Sequence, residues 1–170
     1  MDLRAFIRDI PDFPKPGIVF KDITPLMADA AALDSAVVQL ADLARDLEPS
    51  VVIGAEARGF LLGAALAREL GAGFVLARKP GKLPHETVSA EYELEYGTDS
   101  LELHSDAVAA GARVLVHDDL LATGGTARAL CELVEKVGGT VVACGFLIEL
   151  TFLGGRERLV GYDVEALIAY

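Results

Sequence analysis

The feature that most restricts the fold is a series of short, unbroken apolar runs rich in β-branched residues, each separated from the next by a stretch of different character. Val51-Val52-Ile53, Phe74-Val75-Leu76-Ala77, Val114-Leu115-Val116-His117 and Val141 to Ile148 are such runs, and Val164 to Ile168 is expected to edge the same sheet. Strands without polar alternation have both faces covered, and strands separated by helices are joined by crossovers. The runs therefore predict an α/β fold, a mostly parallel sheet with helices on both faces. Arg58 to Gly71, through Leu62, Leu66 and Leu70, reads as one covering helix, and Thr126 to Val137, closed by Gly138-Gly139, as another. A third is expected from a cap at Asp34-Ser35 through Val37, Val38, Leu40, Leu43, Ala44 and Leu47, ending at Glu48-Pro49.

Outside this pattern the chain is less regular. Asp2 to Ile10 places Leu3, Phe6, Ile7 and Ile10 at helical spacing and is expected to form a short amphipathic helix stopped by Pro11. Pro11-Asp12-Phe13-Pro14-Lys15-Pro16-Gly17 then packs three prolines into seven residues, followed by an extended piece from Ile18 to Thr24 closed by Pro25. Such a stretch either connects layers or covers something. The long polar segment from Pro80 to about Gly97 is flanked by alternation in Tyr92 to Tyr96 and in Leu101 to His104, the pattern of a ribbon beneath a mobile loop.

Composition narrows the function. With 52% hydrophobic and 24% charged residues the 170-residue chain is too apolar for disorder, and its length suits one domain spanning residues 1–170. No run approaches the roughly 20 unbroken apolar residues of a membrane span. The start from Met1 to Asp9 lacks the basic and apolar regions of a secretory signal, so a cytoplasmic location is expected. Fifteen Lys and Arg against 26 Asp and Glu give a net charge of −11, which repels nucleic acid and anionic lipid over most of the surface. An anionic ligand must therefore be caught locally. Cys131 and Cys144 lie within apolar segments and read as buried small hydrophobes.

Ligands of open parallel sheets bind beyond the carboxyl ends of the strands. Three segments occupy such places. Asp118-Asp119-Leu120-Leu121-Ala122-Thr123-Gly124-Gly125-Thr126 is a glycine-rich turn opening a helix, where backbone N–H groups and the helix dipole favour a phosphate, with two carboxylates placed to meet sugar hydroxyls. Its plainer reading makes Asp119 a turn former and Thr126 an N-cap. Glu56-Ala57-Arg58-Gly59 sets Arg58 where a second anion could lie, with a surface ion pair as the alternative. Arg78-Lys79-Pro80-Gly81-Lys82 gathers three cations in five residues, an oxyanion trap in an acidic chain. Phe60-Leu61 stands where a Walker loop needs Lys-Ser/Thr, Gly71-Ala72-Gly73 lacks the dinucleotide spacing, and His85, His104 and His117 show no metal-ligand spacing.

The run from Val114 to Thr126 resembles the phosphoribosyl-pyrophosphate signature of the type I phosphoribosyltransferases. Pro11-Asp12-Phe13-Pro14, Val19-Phe20-Lys21-Asp22, Glu56-Ala57-Arg58-Gly59-Phe60, Arg78 to Pro84 and Leu94-Glu95-Tyr96-Gly97 are similar to the remaining blocks of the adenine-specific branch, in order from residue 11 to about 158. The resemblance implies the type I phosphoribosyltransferase fold, with an N-terminal hood over the base at about 11–25 and a catalytic lid at about 80–100. It implies transfer of 5-phosphoribosyl from phosphoribosyl pyrophosphate to adenine with Mg²⁺, giving AMP and pyrophosphate. On this sequence Ala122, Thr123, Gly124, Gly125 and Thr126 would hold the 5′-phosphate, Asp118 and Asp119 the ribose, and Arg58, Arg78, Lys79 and Lys82 the pyrophosphate. Val19, Phe20 and Lys21 would meet one side of adenine and Leu150 the other. Glu95 and Tyr96 would close on the reacting centre with Arg58, and Glu95 would receive or relay the base proton. Mg²⁺ is expected on the substrate rather than on protein ligands, and a homodimer is expected by the same resemblance. His117 stands where an aliphatic residue is more usual, and Glu56-Ala57 where some relatives have Asp-Ser. The alternatives are a transferase for another purine and a non-catalytic phosphoribosyl-pyrophosphate sensor; the latter would want an added DNA-binding module and a basic surface.

Overall fold

The computed structural model describes residues 1–93 and 97–170. Its centre is a five-stranded sheet of β3 (Val51–Ala55), β4 (Gly73–Ala77), β7 (Arg113–Leu121), β8 (Thr140–Glu149) and β9 (Val164–Ala169), in the order β4-β3-β7-β8-β9. All four pairings are parallel. The apolar runs of the sequence are thus the strands, and Val164–Ala169 is an edge as expected. Before the sheet come β1 (Arg8–Pro11), β2 (Val19–Asp22), α1 (Thr24–Ala28) and α2 (Ala30–Ala44). Helix α3 (Arg58–Leu70) follows β3, and α4 (Gly125–Lys136) follows β7.

Two apolar clusters cover the two faces. On one, Leu40, Leu62 and Leu66 from α2 and α3 pack on Val52, Leu115 and Leu147. On the other, Leu130, Leu133 and Val134 from α4 pack on Ile53, Val116 and Phe146, joined by Ala90, Leu101 and Leu103. Those last three belong to an antiparallel ribbon, β5 (Thr87–Glu93) with β6 (Thr98–His104), whose register runs from Thr87↔His104 to Glu93↔Thr98. The ribbon is longer than the alternation suggested. Gly71 ends α3 at φ +69°, a left-handed conformation that glycine adopts without steric cost.

Three local expectations are corrected. Asp2 to Ile10 is not a helix: a single 3₁₀ turn covers Leu3–Phe6, and Arg8–Pro11 pairs antiparallel with Val19–Asp22. A nine-residue helix is marginal alone, and the ladder to β2 satisfies the same backbone groups. The helix expected to start at Asp34-Ser35 begins earlier, because Asp29 Oδ1 accepts from the N–H groups of Ala31 at 3.0 Å and Ala32 at 2.9 Å. Finally, β7 does not stop at His117 but runs on to Leu121, since β8 pairs with it as far as Leu121↔Glu149. The Asp118-Asp119 pair therefore lies on a strand. Cys131 and Cys144 are buried and free, with sulfurs 3.6 Å apart.

Candidate active site

Because the strands are parallel, β3, β4, β7 and β8 end at the same rim, and the segments singled out in the sequence follow those ends. Beyond β7, Gly124 takes φ +83° and precedes the first residue of α4. A Cβ there would overlap the carbonyl of Gly155, so the turn needs glycine for space as well as for conformation. No side chain among the described residues caps α4, which sets aside the N-cap reading of Thr126 and leaves the first N–H groups of the helix facing a hollow. Asp118, Leu120 to Ala127 and Phe146 line that hollow, about 70 Å³ in volume.

A second hollow of about 300 Å³ adjoins it, sharing Asp118, Leu120, Ala122 and Thr126 and adding Glu56, Arg58, Lys79, Tyr92 and Asp119. Arg58 Nε lies 3.1 Å from Asp119 Oδ2, although that oxygen receives no hydrogen bond among the described residues. Burial pushes the Asp118 carboxyl well above the usual carboxylate range, and the neighbouring Asp119 charge adds to this. Burial also raises Asp119, against the opposing pull of Arg58. Asp118 Oδ1 accepts the N–H of Asp119 at 2.9 Å. When ionised, the two carboxylates repel a bare anion, and they can accept from hydroxyl groups.

The cationic cluster is partly engaged with the protein itself. Arg78 Nε sits 3.3 Å from Glu56 Oε1, which also accepts the Lys79 N–H at 2.6 Å. The Lys79 ammonium donates to Tyr92 Oη at 2.8 Å and to Asp99. Burial disfavours that ammonium, but the hydrogen bonds to Asp99 and Tyr92 outweigh it and raise its pKa. The same contact holds Asp99 below its ordinary value. Lys82 stands exposed at the edge of the cluster. Glu56, Tyr92 and Asp99 were not assigned from sequence. Glu56 carried a signal in its place beside Arg58, whereas Tyr92 and Asp99 meet Lys79 only through the fold of the ribbon.

A third and larger hollow, about 940 Å³, shares Thr123 with the first. Val19 and Lys21 of β2 line it together with Leu150, and so do Asp9, Phe152, Arg158 and Tyr170, which sequence reasoning missed. Phe20 sits apart, its ring 5.2 Å from that of Phe13 and under the Arg58 guanidinium at 5.1 Å. It thereby joins the second hollow to the hood. Glu95 and Tyr96 lie outside the described residues.

His117, the unusual strand residue, is fully buried. Its Nδ1 donates to the Gly145 carbonyl at 2.9 Å, while Nε2 has no partner among the described residues, and burial pushes its pKa down to about 4.

The chain matches the family described as phosphoribosyl transferase domain over residues 21–163. It is 63% identical over 169 residues to the adenine phosphoribosyltransferase of Rubrobacter xylanophilus, covering 99% of this chain and 91% of that one. The crystal structure of adenine phosphoribosyltransferase from Thermoanaerobacter pseudethanolicus superposes with a TM-score of 0.97 at 57% identity, over 99% of this chain and 98% of that one. The Saccharomyces cerevisiae enzyme, crystallised with an imino-altritol bisphosphate and adenine, superposes with a TM-score of 0.92 at 38% identity, over 98% and 96% of the two chains. No helix among the described residues is long and apolar enough to cross a membrane. A fold, a glycine turn and a sequence shared along nearly the whole length all lead to one assignment: this chain belongs to the adenine phosphoribosyltransferase family.

Proposed function

We propose that the three adjoining hollows hold the three parts of the reacting pair: the 5′-phosphate in the glycine turn, the ribose and pyrophosphate beside Asp118, Asp119 and Arg58, and adenine under the hood. As a member of its family the chain transfers 5-phosphoribosyl from phosphoribosyl pyrophosphate to adenine, giving AMP and pyrophosphate in purine salvage. The observation that carries this placement is the sharing of walls. Thr123 belongs to both the first and the third hollow, and Asp118, Ala122 and Thr126 to both the first and the second.

Ala122, Thr123, Gly124, Gly125 and Thr126 fix one end of the sugar through N–H and hydroxyl donors at the start of α4. Asp118 and Asp119 orient the ribose hydroxyls. Arg58, Arg78, Lys79 and Lys82 meet the departing pyrophosphate, whose charge grows as the C1′–O bond breaks. Lys79 does so by exchanging Asp99 for a phosphate oxygen. In the third hollow, the two-residue spacing of Val19 and Lys21 puts their backbone groups along one edge of β2. An N–H and C=O set there matches the N1 acceptor and 6-amino donor of adenine and opposes the reversed set of hypoxanthine. Leu150 covers the base, with Phe20 at its edge between the second hollow and the hood. Glu95, with Tyr96 beside it, receives or relays the N9 proton and shields the activated sugar from water.

Among the described residues, no three carboxylate, histidine or cysteine groups gather as a cation cage. The raised carboxyls of Asp118 and Asp119 fit a cation carried on substrate oxygens, which they would meet through the ribose hydroxyls. Mg²⁺ held in that way would supply Lewis-acid stabilisation to the leaving pyrophosphate. Residues 1–170 form one domain in this reading, with the hood at about 11–25 and the lid at about 80–100. A homodimeric, cytoplasmic enzyme is proposed on the family resemblance.

The test is direct. Purified protein is incubated with phosphoribosyl pyrophosphate, Mg²⁺ and each purine in turn, alongside variants in which Thr123, Arg58 or Val19 is changed. AMP from adenine alone is expected, with loss of phosphoribosyl-pyrophosphate affinity in the first two variants and of adenine affinity in the third, whose side chain lines the third hollow. Variants with unaltered constants would overturn the placement.

A further inference from the structure

We infer that Tyr170, with Asp9, is a positioning residue for adenine, acting through Lys21. The inference rests on the placement of the base against β2 proposed above.

Lysines are almost never buried unless paired, yet the Lys21 side chain is only 9% exposed. Its ammonium has two partners from elsewhere in the chain. Asp9 Oδ1, across the ladder on β1, accepts from Nζ at 2.7 Å. On another side, Nζ lies 3.8 Å from the centre of the Tyr170 ring, well inside the range of a cation–π contact. Asp9, Lys21 and Tyr170 all line the large hollow that Val19 and Leu150 also line.

Tyr170 is itself held firmly. Its N–H donates to the Glu149 carbonyl at 2.9 Å, and its own carbonyl accepts from the Thr151 N–H at 3.0 Å and the Thr151 hydroxyl at 2.6 Å. These bonds flank Leu150 on both sides in sequence, so the ring that receives Lys21 and the side chain proposed to cover adenine are mounted on the same piece of backbone. Glu149 is fixed in turn by three contacts from Arg156, Nε at 2.8 Å to Oε1 and at 3.0 Å to Oε2, and Nη2 at 2.8 Å to Oε2.

This geometry meets a physical need. Among the described residues, strands β1 and β2 pair only with each other, and an isolated two-stranded ribbon is marginally stable in water. A base-reading edge on such a ribbon must be tied to the main sheet at a fixed distance from Leu150. The Lys21 ammonium resting on Tyr170 makes that tie, and Asp9 keeps the ammonium aimed. Holding the pocket in its bound shape lowers the ordering cost of binding adenine, and so acts on adenine affinity rather than on the chemical step.

The experiment compares wild type, Tyr170→Leu, Tyr170→Phe, Asp9→Asn and Phe20→Ala by initial rates with adenine and phosphoribosyl pyrophosphate varied independently, together with the melting temperature of each. Tyr170→Leu removes the π face and is expected to raise the KM for adenine roughly 5- to 30-fold, with kcat and the KM for phosphoribosyl pyrophosphate held within about twofold. Tyr170→Phe keeps the ring and is expected to restore most of the adenine affinity. Asp9→Asn, at a half-exposed position, is expected to raise the adenine KM by a smaller, roughly 2- to 5-fold factor. An adenine KM in Tyr170→Leu that stays at the wild-type value overturns the inference, as does an equal rise in both KM values, or a Phe variant as impaired as Leu. Should Tyr170→Leu fail to fold, the soluble Asp9→Asn variant decides by the same split. Phe20→Ala separates the two readings: if it raises the adenine KM while the Tyr170 and Asp9 variants do not, the base site stands and the anchor falls. If none of the variants moves it, the base placement falls as well.

Discussion

Arg58 and Asp119 come from helix and strand segments 61 residues apart and meet with Nε 3.1 Å from Oδ2. The cation proposed for the leaving group and a carboxylate proposed for the sugar are thus paired with each other. Arg58→Ala would lose the leaving-group contact and leave Asp119 buried without its opposing charge. We expect kcat/KM for phosphoribosyl pyrophosphate to fall by roughly 10²- to 10³-fold, with Arg58→Lys recovering only part because it lacks the guanidinium fork. Steady-state rates at varied phosphoribosyl pyrophosphate check this.

The Lys79–Asp99 contact predicts a gain. Lys79 is about a third exposed, so the pair is screened and of modest strength. Asp99→Asn is expected to free the ammonium and tighten inorganic pyrophosphate binding by up to roughly 5-fold. Lys79→Ala is expected to weaken pyrophosphate and phosphoribosyl pyrophosphate while sparing AMP. Calorimetric titration of both variants with the three ligands distinguishes this from a general loss of the site.

How much of this could be read from the sequence depended on how local each interaction is. The glycine turn was legible because its donors, its left-handed glycine and the helix it opens are consecutive residues. The helix cap was misplaced because Asp29 and Asp34 both satisfy the local rule, and the alanines between them give no apolar periodicity to choose by. The first ten residues were misread for a different reason: their strand pairing depends on β2, which the prolines separate from them. Asp9, Tyr92, Asp99 and Tyr170 escaped notice because each gains its partner only when strands or the ribbon assemble.

Gly124→Ala tests the turn. A methyl group at φ +83° is strained by itself and would also press on the Gly155 carbonyl. The expected cost is about 2 kcal/mol or more of stability, together with loss of AMP binding, read by urea unfolding and by titration with AMP.

His117 predicts a pH dependence of stability. Its native pKa, pushed down to about 4 from an ordinary 6.5, means that the unfolded chain binds the proton more readily between those values. Stability therefore rises with pH through that window and is lost as pH falls, by up to about 3 kcal/mol from this group. The raised carboxyls of Asp118 and Asp119 act with the opposite sign, because the native state holds their protons more tightly than the unfolded one. The His117 contribution is isolated by difference: urea unfolding of His117→Leu and wild type at several pH values between 4 and 7.5 should show a gap that shifts against wild type as pH falls.

For the lid, Glu95→Gln is expected to lower turnover by roughly 10²- to 10⁴-fold and to flatten the pH profile of kcat. Wild-type turnover with an unchanged profile would remove it from the chemistry.

The common direction of the five strands has a practical corollary. The rim where they begin, around Ser50, Ala72, Ala112 and Thr140, lies opposite the one followed by Arg58, the Arg78–Lys82 cluster and the glycine turn. Affinity handles, fluorophores or surface tethers grafted onto those turns should leave turnover intact, which makes that end the natural attachment point for an immobilised form of the enzyme.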